Sequence, residues 1–290
     1  MLQHKYLFVV NPIAGGKDKT YFFQLLREFA ANYEFDYEVY NTTGIDDQEK
    51  ISRIIVHDEP DVVVAVGGDG TLLLVAEILM HTPIQMGIIP MGSANGMAKE
   101  LEIPTNEEDA LEILLNGRVR NLDMIHINHK RYCLHIADIG FNAKIVKNFQ
   151  ENQLRGLLGY ALHFLREFHT MMPHLFEIEV DGKIITRYSY MIAFANAQKY
   201  GTGAILNPKG QPDDGVFEIC ILKELSFLSM IDMLLTTESH SEDHLEIIQC
   251  KKAIVRCKNP LPLQSDGEVL EETKTVFVEI VPKCLKIITP

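Results

Sequence analysis

The segment Val62-Val-Val-Ala-Val-Gly-Gly-Asp-Gly-Thr71 constrains this chain more than any other. Its opening run of apolar residues, nearly all Val, shows no polar alternation, so it predicts a strand buried on both faces, as in the interior of a parallel sheet. The run passes through three glycines and Asp69 into the helical pattern Leu72 to Met80. At the carboxyl end of a parallel strand, glycines let the backbone approach a polyphosphate closely, and the next helix presents free N–H groups and a positive dipole end. Taken alone, the same turn could be an ordinary strand-to-helix junction with Asp69 as a cap.

The surroundings of that segment extend the pattern. Tyr6 to Val10 reads as strand, Tyr21 to Ala31 as helix, Phe35 to Tyr40 as strand, Gln48 to His57 as helix and Met86 to Ile89 as strand. Alternation of this kind predicts a doubly wound, Rossmann-like α/β domain over residues 1–120. Beyond Arg120 the strands lie close together: Met124 to Ile127, Arg131 to Ile136, Phe176 to Val180, Tyr188 to Ala195, Val216 to Leu222, Ala253 to Cys257 and Thr275 to Val281. They predict an antiparallel β-sandwich domain over 121–290, with the last few residues free to return to the first domain. Two apolar helical stretches, Leu154 to Met172 and Ser226 to Leu235, interrupt it.

Two more glycine-bearing loops follow predicted parallel strands: Asn11-Pro-Ile-Ala-Gly-Gly-Lys17 after the first, and Pro90-Met-Gly-Ser-Ala-Asn-Gly-Met-Ala98 after Ile89. Three such loops would converge on one crevice. Neither Gly-x-x-x-x-Gly-Lys-Ser/Thr nor Gly-x-Gly-x-x-Gly is present, so the phosphate-binding design is a different one.

Composition narrows the function. The net charge of −13 disfavours nucleic acid as a partner. The acidity is uneven: residues 1–120 carry 9 basic and 19 acidic side chains, residues 121–290 carry 18 and 21, so an anionic membrane would be met by the second half. No apolar stretch approaches the roughly 20 residues of a membrane-spanning helix, and the start offers no signal-peptide core. A cytoplasmic protein is expected, with a homodimer left open. The five cysteines are scattered and form no Cys-x-x-Cys, which predicts reduced thiols.

With these residues in view, Gly67-Gly-Asp-Gly-Thr71, the Asn11-Pro12 loop and Gly92-Ser-Ala-Asn95 together resemble the diacylglycerol kinase catalytic-domain family. The match continues in order through Asp123, Ile139-Gly-Phe-Asn-Ala143, Gly159-Tyr160, Asn196, Asp213-Asp-Gly215 and Asp266-Gly-Glu268. The resemblance implies ATP and magnesium in a cleft between an α/β domain and a β-sandwich domain, with the γ-phosphoryl group passing to a lipid hydroxyl. By position it implies that Asn11, Thr43, Gly67, Gly68, Gly70, Thr71, Gly92, Ser93 and Asn95 hold the nucleotide. Asp69 would be a catalytic residue that helps place magnesium with Asp123, Asp214 would hold a structural magnesium, and Glu268 would be the base. Without the resemblance, Asp266-Gly267-Glu268 reads as a solvated hairpin turn and Asp213-Asp214-Gly215 as an ordinary one.

Two departures matter. The third loop of bacterial relatives usually reads Gly-Thr-x-Asn-Asp, whereas Gly96 stands here in place of that carboxylate. Lys144 stands where sphingosine kinases place an acidic residue, which points to a neutral or anionic lipid. Lys144, Lys147, Arg155 and the 154–172 helix form the expected face for peripheral membrane contact. NAD kinases share Gly-Gly-Asp-Gly-Thr, but they follow the Asn with Asp or Glu, unlike Asn95-Gly96. A non-catalytic lipid-binding protein is the other alternative. His240 and His244 alone are a poor zinc pair.

Overall fold

The computed structural model describes residues 4–140, 172–200, 204–223 and 244–290. Phe141 to Ala143, Gly159-Tyr160, Lys144, Lys147 and Arg155 of the expected membrane contact, residues 154–171 of the first predicted helix and all of the second lie outside the described residues. The chain divides into two compact units, one of Met1–Leu122 with Lys283–Pro290, the other of Asp123–Pro282.

The first unit contains β1 (Lys5–Val10), α1 (Thr20–Tyr33), β2 (Asp36–Asn41), α2 (Asp47–Asp58), β3 (Val62–Gly67), α3 (Asp69–Leu79), β4 (Gln85–Pro90), α4 (Gly96–Glu100) and α5 (Glu107–Asn116). Its sheet is parallel, in the order C-terminal tail, β4, β3, β1, β2. As the Val run demands, β3 is buried along its whole length at the centre. Helix α1 buries Phe22, Leu25, Leu26 and Phe29, the i, i+3, i+4, i+7 stripe of its sequence. The tail strand joins through Lys286 and Ile287, which pair with Gln85 and Met86.

Strand order carries the functional consequence. From β1 the chain moves to β2 on one side and then to β3 on the other. The sheet therefore has its topological switch point between β1 and β3, where open α/β sheets bind ligands beyond the strand carboxyl ends. The first two glycine loops leave the sheet there.

The second unit is built from β5 (Arg118–Ile127, which begins in the first unit), β6 (Arg131–Cys133), β7 (Ile136–Ile139), β8 (His174–Val180), β9 (Lys183–Ser189), β10 (Met191–Ala195), β11 (Lys199–Tyr200), β12 (Ala204–Ile205), β13 (Phe217–Leu222), β14 (Leu245–Cys250), β15 (Lys252–Ser265) and β16 (Glu268–Thr289, which ends in the first unit). Its pairings are antiparallel. Its core gathers Phe176 and Ile178 from β8, Ile192 and Phe194 from β10, and Phe217 and Ile219 from β13.

The single strand expected over Tyr188 to Ala195 is divided: Ser189 Oγ lies 2.7 Å from Met191 O and 2.8 Å from Leu222 O, turning the chain between β9 and β10. Strand β15 runs further than its apolar pattern suggests. It pairs with β8 through Ala253–Cys257 and, after a register shift between Arg256 and Leu261, with β7 through Leu263–Ser265. All five cysteines are free and four are buried. No helix among the described residues is long and apolar enough to cross a membrane.

Candidate active site

The three glycine loops meet in the first unit. A Cβ on Gly15, whose φ is +64°, would lie 2.5 Å from Met91 O, and a Cβ on Gly92 would lie 2.4 Å from Gly68 Cα. Distances of that kind leave no room for any side chain, so first loop touches third and third touches second, backbone against backbone. Gly67 is held to glycine by its own motif, because a Cβ there would strike Thr71 Oγ1 at 2.4 Å.

Asp69 joins the loops by charge. Its Oδ2 accepts from Gly96 N at 3.0 Å and its Oδ1 from Met97 N at 3.1 Å. These are the first amides of α4, which have no acceptor within their own helix. Asn95 closes the same loop on itself: Oδ1 accepts from Gly92 N at 2.8 Å and Nδ2 donates to Gly92 O at 3.1 Å. Its side chain is therefore spent on the loop, and Ser93 is the exposed polar side chain between them.

At the start of α3, Thr71 N and Leu72 N both return to Gly68 O. The amides of Asp69 and Gly70 are left without an intrahelical acceptor, at the positive end of an 11-residue helix. This is a donor set that suits a phosphate group, and Gly70 is exposed.

Two supports were not read from the sequence. Lys19, buried at the start of α1, donates from Nζ to Ala14 O at 2.7 Å and Lys17 O at 3.0 Å, bracing the first loop from beneath. Burial, with Lys17 close by, lowers its ammonium pKa. Asp47 accepts from Tyr40 Oη, Thr43 N and Gly44 N at 2.7–2.9 Å and so fixes the turn after β2. Burial opposes its ionisation, but the hydrogen bonds outweigh it and hold its pKa below normal, while burial and this carboxylate push Tyr40 up to about 12. Thr43 Oγ1 faces Asp47 Oδ1 at 3.1 Å, and Asn11 Oδ1 accepts from Ile13 N at 3.1 Å.

The acidic residues of the second unit have distinct surroundings. Asp123 is fully buried; its Oδ2 accepts from Gly215 N at 2.6 Å, and its own amide donates to Pro212 O at 2.7 Å. It thus anchors the Asp213-Asp214-Gly215 loop. Asn196 supports the same strand by donating from Nδ2 to Asp123 O and Leu134 O. Asp214 is exposed and accepts from Val216 N at 3.1 Å.

Asp266 and Gly267, with φ of 48° and 85°, form the two-residue turn between β15 and β16, and Ser265 pairs with Glu268 across it. The solvated hairpin turn read from the residues alone is corrected at Asp266, because the two carboxylates have opposite environments. Asp266 turns inward, accepting from the amides of Leu134, His135 and Ile136 at 2.9–3.3 Å and from Cys133 Sγ at 3.2 Å. Burial raises its pKa against the pull of those hydrogen bonds. Glu268, at the first position of β16, is exposed.

Asp266→Ala is expected to destabilise the protein by about 3 kcal/mol or more, since three enclosed amides lose their acceptor at about 1–3 kcal/mol each. Urea unfolding measures this, and an unchanged midpoint would mean that the three amides find water instead.

The comparisons with known proteins agree along the whole chain. The family described as "Diacylglycerol kinase catalytic domain" matches residues 5–127, and "YegS C-terminal NAD kinase beta sandwich-like domain" matches residues 136–289. A Bacillus subtilis protein named "Diacylglycerol kinase" is 27% identical over 272 residues, covering 90% of this chain and 88% of its own. A Yersinia enterocolitica protein named "Probable lipid kinase YegS-like" is 28% identical over 235 residues, covering 78% of each chain. A solved structure of a diacylglycerol kinase from Bacillus anthracis superposes with a TM-score of 0.80 at 20% identity, covering 100% of this chain and 98% of that one, and it supports the fold.

Proposed function

Because the chain belongs to the diacylglycerol kinase catalytic-domain family, we propose that it transfers the γ-phosphoryl group of ATP to a hydroxyl of a membrane lipid such as diacylglycerol. The observation that carries this reading is the meeting of three glycine loops around the switch point of the first unit's sheet. Phosphoryl transfer asks a protein mainly for positioning and for charge stabilisation of phosphate oxygens. The free amides of Asp69 and Gly70, the exposed Ser93 and the loop held by Asn11 supply donors for a polyphosphate. Gly67, Gly68 and Gly92 let the loops close up, Thr71 packs beneath Gly67, and Asn95 and Thr43 keep their loops in shape.

Magnesium would supply positive charge against the phosphate oxygens, and carboxylates with exposed or shared oxygens are the donors a hard cation takes. Asp69 is the proposed ligand in the first unit, through water, since each of its oxygens already accepts one amide. In the second unit the proposed ligands are Asp123 and, for a structural ion, Asp214. Glu268 accepts the proton of the lipid hydroxyl as that oxygen bonds to the γ-phosphorus and ADP leaves. Peripheral, salt-sensitive contact with anionic membrane through Lys144, Lys147 and Arg155 completes the proposal.

A choice of acceptors tests the reading against its nearest rival. With labelled ATP and magnesium, diacylglycerol in mixed micelles should gain phosphate and NAD should not; the reverse would make the protein a soluble nucleotide kinase. The loop geometry gives a separate prediction. Gly92→Ala places a methyl group against Gly68 Cα and Asn95 Oδ1, and is expected to weaken ATP binding at least about tenfold, the equivalent of 1.4 kcal/mol of the 1–3 kcal/mol typical of overpacking. Calorimetric titration with ATP reads it, and an unchanged affinity would remove the third loop from the nucleotide site.

A further inference from the structure

We propose that His126, His129 and Glu279, in the second unit and apart from every residue assigned above, form a binding site for a divalent transition-metal ion of the zinc class. Each offers one donor atom, and the three donor atoms lie within 4.8 Å of one another. Glu279 Oε1 lies 3.4 Å from His126 Nδ1 and 3.6 Å from His129 Nδ1. Those separations are long for N–H···O hydrogen bonds, which cluster near 2.9–3.0 Å. They match the spacing of ligands around a tetrahedral ion: bonds of about 2.0–2.1 Å put neighbouring donors about 3.4 Å apart. Two imidazoles and one carboxylate suit zinc or its first-row neighbours far better than magnesium or calcium.

The surrounding structure holds the donors in place. Asn128 and His129 both have left-handed backbones, with φ of 51° and 55°, in the turn closed by Lys130 N donating to Ile127 O. Asn128 N donates to Phe277 O and Asn128 Oδ1 accepts from Phe277 N, at 2.8 and 2.9 Å, tying this turn to the strand that carries Glu279. His126 stacks on Tyr132 with ring centroids 4.5 Å apart and planes 13° off parallel, which fixes its rotamer. The side chains of His126 and Glu279 are 18% and 34% exposed and that of His129 is 62% exposed, so water can complete the coordination shell. Lys252 Nζ lies 3.8 Å from Glu279 Oε2, the carboxylate oxygen that the two histidines do not face.

Zinc chloride titrated calorimetrically into chelator-stripped full-length protein at neutral pH, with excess magnesium to occupy oxygen-rich sites, tests the proposal. The expected result is one equivalent of zinc bound, with affinity falling at least about tenfold in both His129→Asn and Glu279→Gln. Asn tolerates the left-handed turn, so His129→Asn should melt like wild type without metal. Cobalt should give visible d–d absorption in the wild type that both variants lose. No zinc uptake at about 100 μM free ion, two orders weaker than a 1 μM site, or uptake that either variant leaves unchanged, overturns the proposal.

Discussion

Asp69→Ala is expected to abolish phosphoryl transfer while leaving the protein folded. Two consequences of the one substitution combine. The first amides of α4, Gly96 N and Met97 N, lose their acceptor, at about 1–3 kcal/mol each, and the third loop loses its tie to the second. The same change removes the negative charge proposed to hold magnesium. Asp69→Asn separates the two, because it keeps the size and one acceptor oxygen but not the charge. One of the two α4 amides then faces an NH2 group, so the variant should stay folded with about half of the destabilisation of Asp69→Ala, lose turnover and require more magnesium for whatever remains. Wild-type turnover of Asp69→Asn at limiting magnesium would confine Asp69 to capping α4. Gly96 sharpens this test: with no carboxylate at that position, the described third loop offers no acidic side chain that could take over.

Glu268→Gln is expected to lower turnover by about 10²–10⁴, the usual worth of a positioned base. Gln keeps the size of the side chain and its hydrogen bonding but cannot accept the hydroxyl proton. Glu268 is exposed at the start of β16, so the substitution strands no buried group and the fold should be unaffected. ATP affinity should change little, because the proposed nucleotide contacts all come from the first unit. A loss confined to kcat, with KM for ATP preserved, is the signature of an interaction made in the transition state. Near-normal kcat would make the Asp266-Gly267 turn purely structural; a severe loss of ATP binding would move Glu268 into the nucleotide site and leave the base unassigned.

The α/β half was legible because its signals are local. A run of Val marks a buried strand, and glycines mark the points where backbone must approach backbone. The role of Asp69 was only half legible: its place at a strand-to-helix junction is local, but its partners Gly96 and Met97 lie 27 and 28 positions away. Lys19 and Asp47 are illegible in the sequence for the same kind of reason. A Lys before a helix and an Asp at its start read as surface residues until the fold wraps Ala14, Lys17, Tyr40 and Thr43 around them. Helix α5 carries a local signal as well, since Asn106 Oδ1 accepts from Glu108 N and Asp109 N in an acidic first turn. In the second unit, Asp266 looked like a solvated turn residue because Leu134, His135 and Ile136, which enclose it, come from 130 or more positions earlier.

If phosphate moves from ATP to a lipid hydroxyl, the label of γ-labelled ATP must become lipid-soluble. The most direct measurement incubates the protein with γ-labelled ATP, magnesium and a total membrane-lipid extract, and then partitions the products between chloroform and water. Label is expected in a chloroform-soluble phosphomonoester, absent without magnesium and absent with Asp69→Ala. Label that stays wholly in the aqueous phase, as ATP, as inorganic phosphate or on a soluble acceptor, would contradict transfer to a lipid.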